Sequence, residues 1–486
     1  MASFYIENFG CRATQADGAA LESQFLERGL ERARAARDAA IVVLNTCTVT
    51  EGADKDARAS IRRVRRENPG CRILVTGCYA QRAPEELAAL PGVTWVVGNS
   101  HKHRAAEIAT WHDSARPGFV PLAQLSGNRL AGDPEGNIFV GDIFAHTELL
   151  AAPVFEAAHE RTRPNLKVQD GCDNRCSFCV IPYVRGQSRS LPLERVVTEV
   201  RSLVGAGYRE VVISGINLGR WGRDLDVDGV GRTFLSVAVD SLPLTKSESK
   251  ATDKSVRPTR GKGNQRFPDL VRAILEQTSL EKLRISSVEP MDWSDELIAL
   301  MAASSRIAKH AHVPLQSGSD AVLRRMHRKY RPWHYREKIL KIRNAMPSAA
   351  IGADVMVGFP GETEAEFEET RRMIEELPFT YLHVFTYSAR PGTPAAEHAN
   401  QVPVAVANKR SQMLREIADA RKAAFMQAQV GKVVDAITLR SAKDESTEAL
   451  TDNYLKMRIP GCLESNRWIE ARVEQVGADV LRGRAI

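Results

Sequence analysis

The stretch QDGCDNRCSFCVIPYVRGQSRS, Gln169 to Ser190, sets Cys172, Cys176 and Cys179 in a Cys-x3-Cys-x2-Cys spacing, within a chain of 486 residues that has eight cysteines. The run around them is rich in Gly, Asp, Asn and Arg, residues suited to a turning loop with free backbone N–H groups. Three thiols leave one over for paired disulfides and fall one short of a closed tetrahedral metal site. A loop of this spacing can bind three irons of a cubane and leave the fourth iron to a chelating ligand. Spacing alone also leaves open a zinc site completed by a distant residue, or unrelated buried cysteines.

Outward from this loop, apolar runs end repeatedly in Gly-, Ser- or Pro-rich segments: EVVISGINLG, KLRISSVEP, KHAHVPLQSGSD, AIGADVMVGFPGET and YLHVFTYSARPGT. The rhythm predicts a full or partial (β/α) barrel over residues 161–400, with the loops after its strands gathered at one mouth. Residues 224–266 break it; they are polar, Lys/Arg-rich and without sustained period, and read as a basic flexible insertion. Residues 1–130 alternate FYIENFG, a helix over 16–29, AAIVVLNTC, a helix over 53–68 and CRILVTGCY, which predicts a parallel α/β sheet. Residues 131–160 read as a connector ending in a strand or two (NIFVGDIFA), and 401–430 as a linking helix. From 431 to 486 the short alternating runs VVDAITL, YLKMRIP, WIEARVEQV and VLRGRAI predict a small β-barrel. The fold class is α/β with this all-β module appended.

Three more cysteines share one local context. Cys11, Cys47 and Cys78 each stand just past a predicted strand, where open α/β sheets place their sites. Their thiols could meet around a second cluster, or they are small apolar residues at strand ends. Cys71 precedes its strand, and it and Cys462 read as structural thiols. With 43% hydrophobic and 26% charged residues the chain can bury sizeable cores. A net charge of +7 favours an anionic partner. The start MASFYIENFG lacks a signal-peptide pattern and no run of 18 apolar residues follows, so the expectation is a cytoplasmic protein with no membrane contact and reduced thiols.

The Cys-x3-Cys-x2-Cys loop, with Phe178 before its last cysteine, resembles the cluster loop of the radical S-adenosylmethionine (SAM) enzymes. FGCRATQADG, NTCTVTEGAD and TGCYAQ resemble the N-terminal cluster domain of the methylthiotransferase family within that superfamily, in which a radical SAM domain and a C-terminal TRAM module follow. The resemblance covers nearly the whole chain apart from 224–266. It implies two [4Fe-4S] clusters: one on Cys172, Cys176 and Cys179, which take the catalytic role by presenting S-adenosyl-L-methionine on the open iron, and an auxiliary one on Cys11, Cys47 and Cys78 that carries or supplies sulfur. It implies SAM contacts from Phe178, Ser214, Gly215, Asn217, Glu289 and Gln316, residues that ordinary turns and helix caps would also explain. Both clusters must then face one cavity, with the N-terminal sheet edge docked over the barrel mouth. An external electron donor such as flavodoxin or ferredoxin, and a monomeric state, are the remaining expectations.

Within the family the substrates are an adenosine beside the tRNA anticodon, in isopentenyl or threonylcarbamoyl form, and an aspartate of a ribosomal protein. Two basic groups favour RNA. Arg58, Arg62, Arg63, Arg65 and Arg66 fall on one helix, and RRMHRKYRPWHYREK interleaves cations with Tyr330, Trp333 and Tyr335. Arg58, Arg62, Arg65, Arg328 and Trp333 are the RNA-binding candidates for the tRNA anticodon loop; a solvated face is the alternative. In the C-terminal module, where charge is near balance, Arg458, Arg467, Arg482 and Arg484 form the candidate patch. FGCR in place of a YGCQ-like start, VQDGC and PYVRGQSRS resemble the branch that converts N6-threonylcarbamoyladenosine at tRNA position 37 to its 2-methylthio derivative. Methylthiolation of N6-isopentenyladenosine, or a non-catalytic iron–sulfur RNA-binding redox sensor, are the other readings; a sensor would not need the SAM loops.

Overall fold

The computed structural model describes residues 2–110, 136–146, 162–225, 265–441 and 445–486. Most of the basic insertion and parts of the connector lie outside them.

The N-terminal unit runs β1 (Ser3–Asn8), α1 (Arg12–Glu27), β2 (Glu31–Arg32), β3 (Ile41–Thr46), α2 (Glu51–Glu67), β4 (Arg72–Gly77), α3 (Cys78–Arg82), α4 (Pro84–Ala88), β5 (Val93–Gly98), α5 (Ala105–Thr110) and β6 (Ile138–Phe139). Its strands form one parallel sheet in the order β2-β1-β3-β4-β5-β6. Every residue of β3 is buried, as expected of a central parallel strand covered on both faces. In α2, Ala57, Ile61 and Val64 face the sheet at helical spacing, and Thr50 caps the first turn by accepting from Ala53 N–H. β6 comes from the segment read as a connector and extends this sheet at β5.

The second unit runs β7 (Asn165–Asp170), α6 (Ile181–Arg185), β8 (Arg189–Ser190), α7 (Leu193–Gly205), β9 (Glu210–Gly215), α8 (Phe267–Gln277), β10 (Lys282–Ile285), α9 (Asp295–Ala303), β11 (His310–His312), α10 (Asp320–Arg325), α11 (Pro332–Ala345), β12 (Ala350–Val357), α12 (Glu364–Glu376) and β13 (Tyr381–Thr386). β7, β9 and β10 pair in parallel, bridges Leu283–Ile307 and Ser287–His312 link β10 to the β11 segment, and β11, β12 and β13 pair in parallel. The result is a partial barrel of six parallel strands in chain order. One apolar cluster, from Leu166 to Leu414, fills the space between its strands and surrounding helices.

The third unit runs α13 (Val404–Gln427), β14 (Val433–Ser441), β15 (Ser446–Thr451), β16 (Lys456–Pro460), β17 (Trp468–Val476) and β18 (Leu481–Ala485). The five strands close in the order β14-β15-β16-β18-β17. The sequence reading found four of them. It missed β15, STEALT, whose small and polar residues give a weak strand signal although Ala449 and Leu450 are core.

Candidate functional site

β1, β3 and β4 are neighbours in the sheet, so the loops after them leave one edge side by side. Cys11 is the N-cap of α1, Cys47 follows β3 directly, and Cys78 opens α3. Two glycines make the approach possible. Gly10 has φ +94°, and a Cβ there would lie 2.6 Å from Cys47 Cβ; Gly77 has φ +101°, and a Cβ would lie 2.3 Å from the Thr46 carbonyl oxygen. Cys47 and Cys78 are buried and Cys11 is exposed. Burial, then charge on Cys78 and Cys11, pushes the Cys47 thiol up to about 12. Asn99, just past β5, donates to Cys78 Sγ at 3.5 Å and to the Val184 carbonyl at 2.7 Å.

The second trio sits in the loop between β7 and α6. Cys172 N–H donates to Gly186 O (3.0 Å), and the Cys172 sulfur accepts from Asn174 N–H at 3.4 Å and from Asn217 Nδ2 at 3.7 Å. Arg328 donates to Cys176 Sγ at 3.4 Å, and burial, then Cys176, pushes the Cys179 thiol up to about 12. Phe178 packs edge-on against Phe359. Ser214, Gly215 and Asn217 lie at the end of β9, where Asn217 N–H donates to Gln169 Oε1 at 2.7 Å. Ser214 Oγ and Asn217 Oδ1 are buried with no hydrogen-bond partner among the described residues. Glu289 pairs with Arg328, which ties it to the cysteine loop. Gln316 lies across the mouth in the left-handed region at φ +60°, donating its N–H to Asp354 O and accepting from Met356 N–H.

The two trios meet through α3 and α6: Cys78 packs in one apolar cluster with Val180, Ile181 and Val184. Beside it lies a buried ionic network that the sequence reading missed. Lys102 Nζ reaches Asp17 at 3.0 Å, Lys167 bonds to Asp17 and, at 2.7 Å, to Asp170, and Arg185 bridges Asp17 (2.9 Å) and Asp170 (3.0 Å). Three cations face two carboxylates, a net charge of +1 next to the N-terminal thiols. Burial alone would raise the Asp17 carboxyl, but Lys102, Lys167 and Arg185 hold it well below its usual range. A second bridge joins Arg390, after β13, to Asp54 of α2 at 2.8 Å, with Arg82 on the same carboxylate at 3.0 Å. Asn99 was findable by the same strand-end rule that picked out the cysteines. The ionic residues carried no such signal.

The RNA candidates divide. Arg62 is exposed on α2, but Arg58 is committed to Tyr79 Oη and Glu86, and Arg65 to the Pro69 carbonyl. Arg328 is a correction: it is 7% exposed, held by Glu289 and Cys176, and so faces the cysteine loop rather than solvent. Tyr330 and Tyr335 are also core residues, their hydroxyls donating to Leu315 O and Val313 O, whereas Trp333 is 57% exposed. On the C-terminal barrel Arg458 and Arg482 are exposed, Arg467 pairs with Glu464 and Arg484 with Glu474. Cys71 is buried, whereas Cys462, read as structural, is exposed.

The donor set fits iron–sulfur ligation. Each site offers three thiols, with amide or guanidinium donors aimed at sulfur. Among the described residues no three His, Cys, Asp or Glu side chains converge on a single ion position. Cubane ligands bind different irons and need not converge so. The orphaned Ser214 and Asn217 oxygens fit a polar ligand beside Cys172. No helix of the described residues is long and apolar enough to cross a membrane.

Comparison with known proteins agrees. Residues 3–98 match the model described as uncharacterized protein family UPF0004, and residues 166–374 that of the radical SAM superfamily. Over 95% of the chain, it is 36% identical to a Bacillus subtilis protein named threonylcarbamoyladenosine tRNA methylthiotransferase MtaB, covering 91% of that protein. It is 32% identical to a protein of the same name from Aquifex aeolicus (96% of this chain, 99% of that one). It is also 32% identical to the tRNA-2-methylthio-N(6)-dimethylallyladenosine synthase of Novosphingobium aromaticivorans (99% and 97%). Among solved structures, the radical SAM methyltransferase TsrM from Kitasatospora setae shares the fold at TM-score 0.52 and 16% identity, over 81% of this chain and 75% of that one. Paired thiol trios, a partial barrel and near full-length identity to such relatives lead to one conclusion: the chain belongs to the radical SAM methylthiotransferase family.

Proposed function

We propose that the protein converts N6-threonylcarbamoyladenosine at position 37 of tRNA to its 2-methylthio derivative. The observation that carries the reading is the docking of the Cys11/Cys47/Cys78 edge against α6, directly after the Cys172/Cys176/Cys179 loop, which puts both trios at one barrel mouth. Cys172, Cys176 and Cys179 would hold a cluster that, with SAM, would supply one-electron cleavage of the sulfonium for hydrogen abstraction, and Cys11, Cys47 and Cys78 would hold the auxiliary cluster that would supply sulfur. The chain's own residues position these partners. Asn217 and Arg328 orient the loop sulfurs, Ser214 and Asn217 offer unpaired oxygens to a ligand, and Asn99 holds Cys78 against α6. Exposed Arg62 and Trp333, with Arg458 and Arg482 on the C-terminal barrel, are the groups we assign to tRNA phosphates and bases. An external donor of the flavodoxin or ferredoxin class would supply electrons in the cytoplasm.

The Bacillus and Aquifex relatives support the threonylcarbamoyl substrate, and the Novosphingobium relative keeps the isopentenyl analogue as the second reading. The test is mass spectrometry of tRNA nucleosides from a strain lacking this gene. Loss of 2-methylthio-N6-threonylcarbamoyladenosine is expected. An unchanged peak would overturn the reading, and loss of the isopentenyl derivative would favour the second.

A further inference from the structure

Arg12 directly follows Cys11 in the chain and points away from the N-terminal sheet. Its Nη2 donates to Tyr454 Oη of the C-terminal barrel at 3.1 Å, and its backbone carbonyl accepts from Asn165 Nδ2 of β7 at 2.9 Å. One residue therefore touches all three units. Tyr454 sits at the tip of the β15–β16 loop in the left-handed region (φ +70°), with its ring 4.4 Å from that of His310. This loop is thus inserted against the inner side of the partial barrel. There His310 Nε2 and His312 Nδ1 both meet Tyr381 Oη, at 2.7 and 2.9 Å, and His312 pairs with Asp354 at 3.1 Å. Asp354 in turn accepts from Gln316 N–H, so this polar cluster adjoins a loop assigned to SAM.

The open side holds a cavity of about 850 Å³, lined among others by Tyr381, His383, Tyr454 and Arg458, with Arg12 standing behind the wall at Tyr454, to which it is bonded. That is ample for a nucleoside. Its lining carries four cations, Arg163 and Arg458 among them, against the three carboxylates of Asp419, Glu448 and Asp479. Arg284 and Arg163 share one carboxylate, Glu210, at 2.7 and 3.5 Å. Arg12 has no carboxylate within ion-pair distance among the described residues. Burial, then His312, holds His383 below its usual range, so at neutral pH it is a neutral hydrogen-bonding partner and Arg12 is the fixed charge.

We propose that Arg12, with His383 and Tyr381 beside it, reads the carboxylate of the substituent on the target adenosine, and so selects an anionic N6 group over an apolar one. The proposal rests on the threonylcarbamoyl reading above. Its site is the barrel wall between Cys11 and Tyr454, and its chemistry is that of a guanidinium paired with a carboxylate, which also holds the substituted base beside the auxiliary thiols.

The test uses cluster-loaded full-length protein and synthetic anticodon stem-loops carrying threonylcarbamoyladenosine, isopentenyladenosine or plain adenosine at position 37. Dissociation constants are measured for wild type, Arg12→Gln and Arg12→Lys, with iron content as the check on folding. Wild type should prefer the threonylcarbamoyl loop over the plain loop by about tenfold. R12Q should bring that ratio close to one, and R12K should restore part of it. A full preference in R12Q, or an equal loss on both loops as for a phosphate contact, overturns the role of Arg12 and leaves the substrate assignment standing. A wild type that prefers the isopentenyl loop, or none, overturns the substrate assignment itself.

Discussion

Replacing Asp17 by Asn tests whether the buried ionic network holds the N-terminal sheet on the barrel. Asp17 and its three cationic partners are all at least nine-tenths buried, so water cannot replace a lost partner. After the change Asp170 still pairs with Lys167 and Arg185, but Lys102 loses its one carboxylate and is left with neutral amide oxygens, that of Asn45 at 3.3 Å among them, and the network charge rises from +1 to +2. Breaking one side of a buried ion pair costs about 3–5 kcal/mol. Because Asn still accepts a hydrogen bond, the lower end, about 3 kcal/mol, is expected. Hydrogen exchange of the α1 and α6 amides reads this as local opening, which should speed up about a hundredfold at 1.4 kcal/mol per tenfold. The pH dependence has a definite sign. A carboxyl held below its unfolded value contributes stability that is present above about pH 4 and is lost as pH falls through the lower folded value. On the acid side, the gap between wild type and D17N should therefore persist from neutral pH downward and close in strong acid. Burial already lowers the Lys102 ammonium, and losing Asp17 lowers it further. The folded state then binds fewer protons than the unfolded one, so the deficit of D17N should also shrink as pH rises. Exchange in α1 and α6 within threefold of wild type at neutral pH would refute the reasoning.

Two further predictions concern the cysteine sites. Replacing Cys11, Cys47 and Cys78 together by alanine should lower bound iron from about eight to about four per chain, and replacing Cys172, Cys176 and Cys179 should remove the other half. Loss of all iron in either variant would contradict two separately ligated sites. Gly77→Ala puts a Cβ 2.3 Å from Thr46 O at a backbone φ of +101°, so it should cost about 1–3 kcal/mol in strain and lower the iron held by the N-terminal trio; an unchanged melting temperature and iron content would argue that the turn is not constrained.

What could be read from the chain follows from which signals are local. Cys11, Cys47 and Cys78 were legible because three apolar runs end just before them, and parallel strands deliver their C-terminal loops to one edge whatever the rest of the fold does. The barrel was legible from the repetition of such runs. β15 was not, because STEALT offers a single large apolar residue, Leu450, among small and polar ones. Arginine was the least legible residue. Arg62, Arg185 and Arg328 look alike in a charge pattern, yet one is exposed, one lies in a buried network and one donates to a cysteine sulfur. Charge pattern reports an expectation of solvation, and a buried carboxylate distant in sequence overrides it. Asp17 and Arg185 are separated by 168 residues.

That separation also bears on why ions stand where apolar side chains would pack at lower cost. Desolvating five charges offsets much of their attraction, so the network is a weak reason for stability. The apolar contact of Cys78 with Val180, Ile181 and Val184 contributes packing in the same interface, but aliphatic surfaces tolerate a slide. The charges do not. Asp17 belongs to α1, Lys102 to the segment after β5, Lys167 and Asp170 to β7, and Arg185 to α6, and each bond joins two of these elements or braces one end of β7. A slip by one helical turn would leave buried charges unpaired on every element at once. The network therefore specifies register, and the register it specifies sets the N-terminal thiols beside the loop that carries Cys172, Cys176 and Cys179.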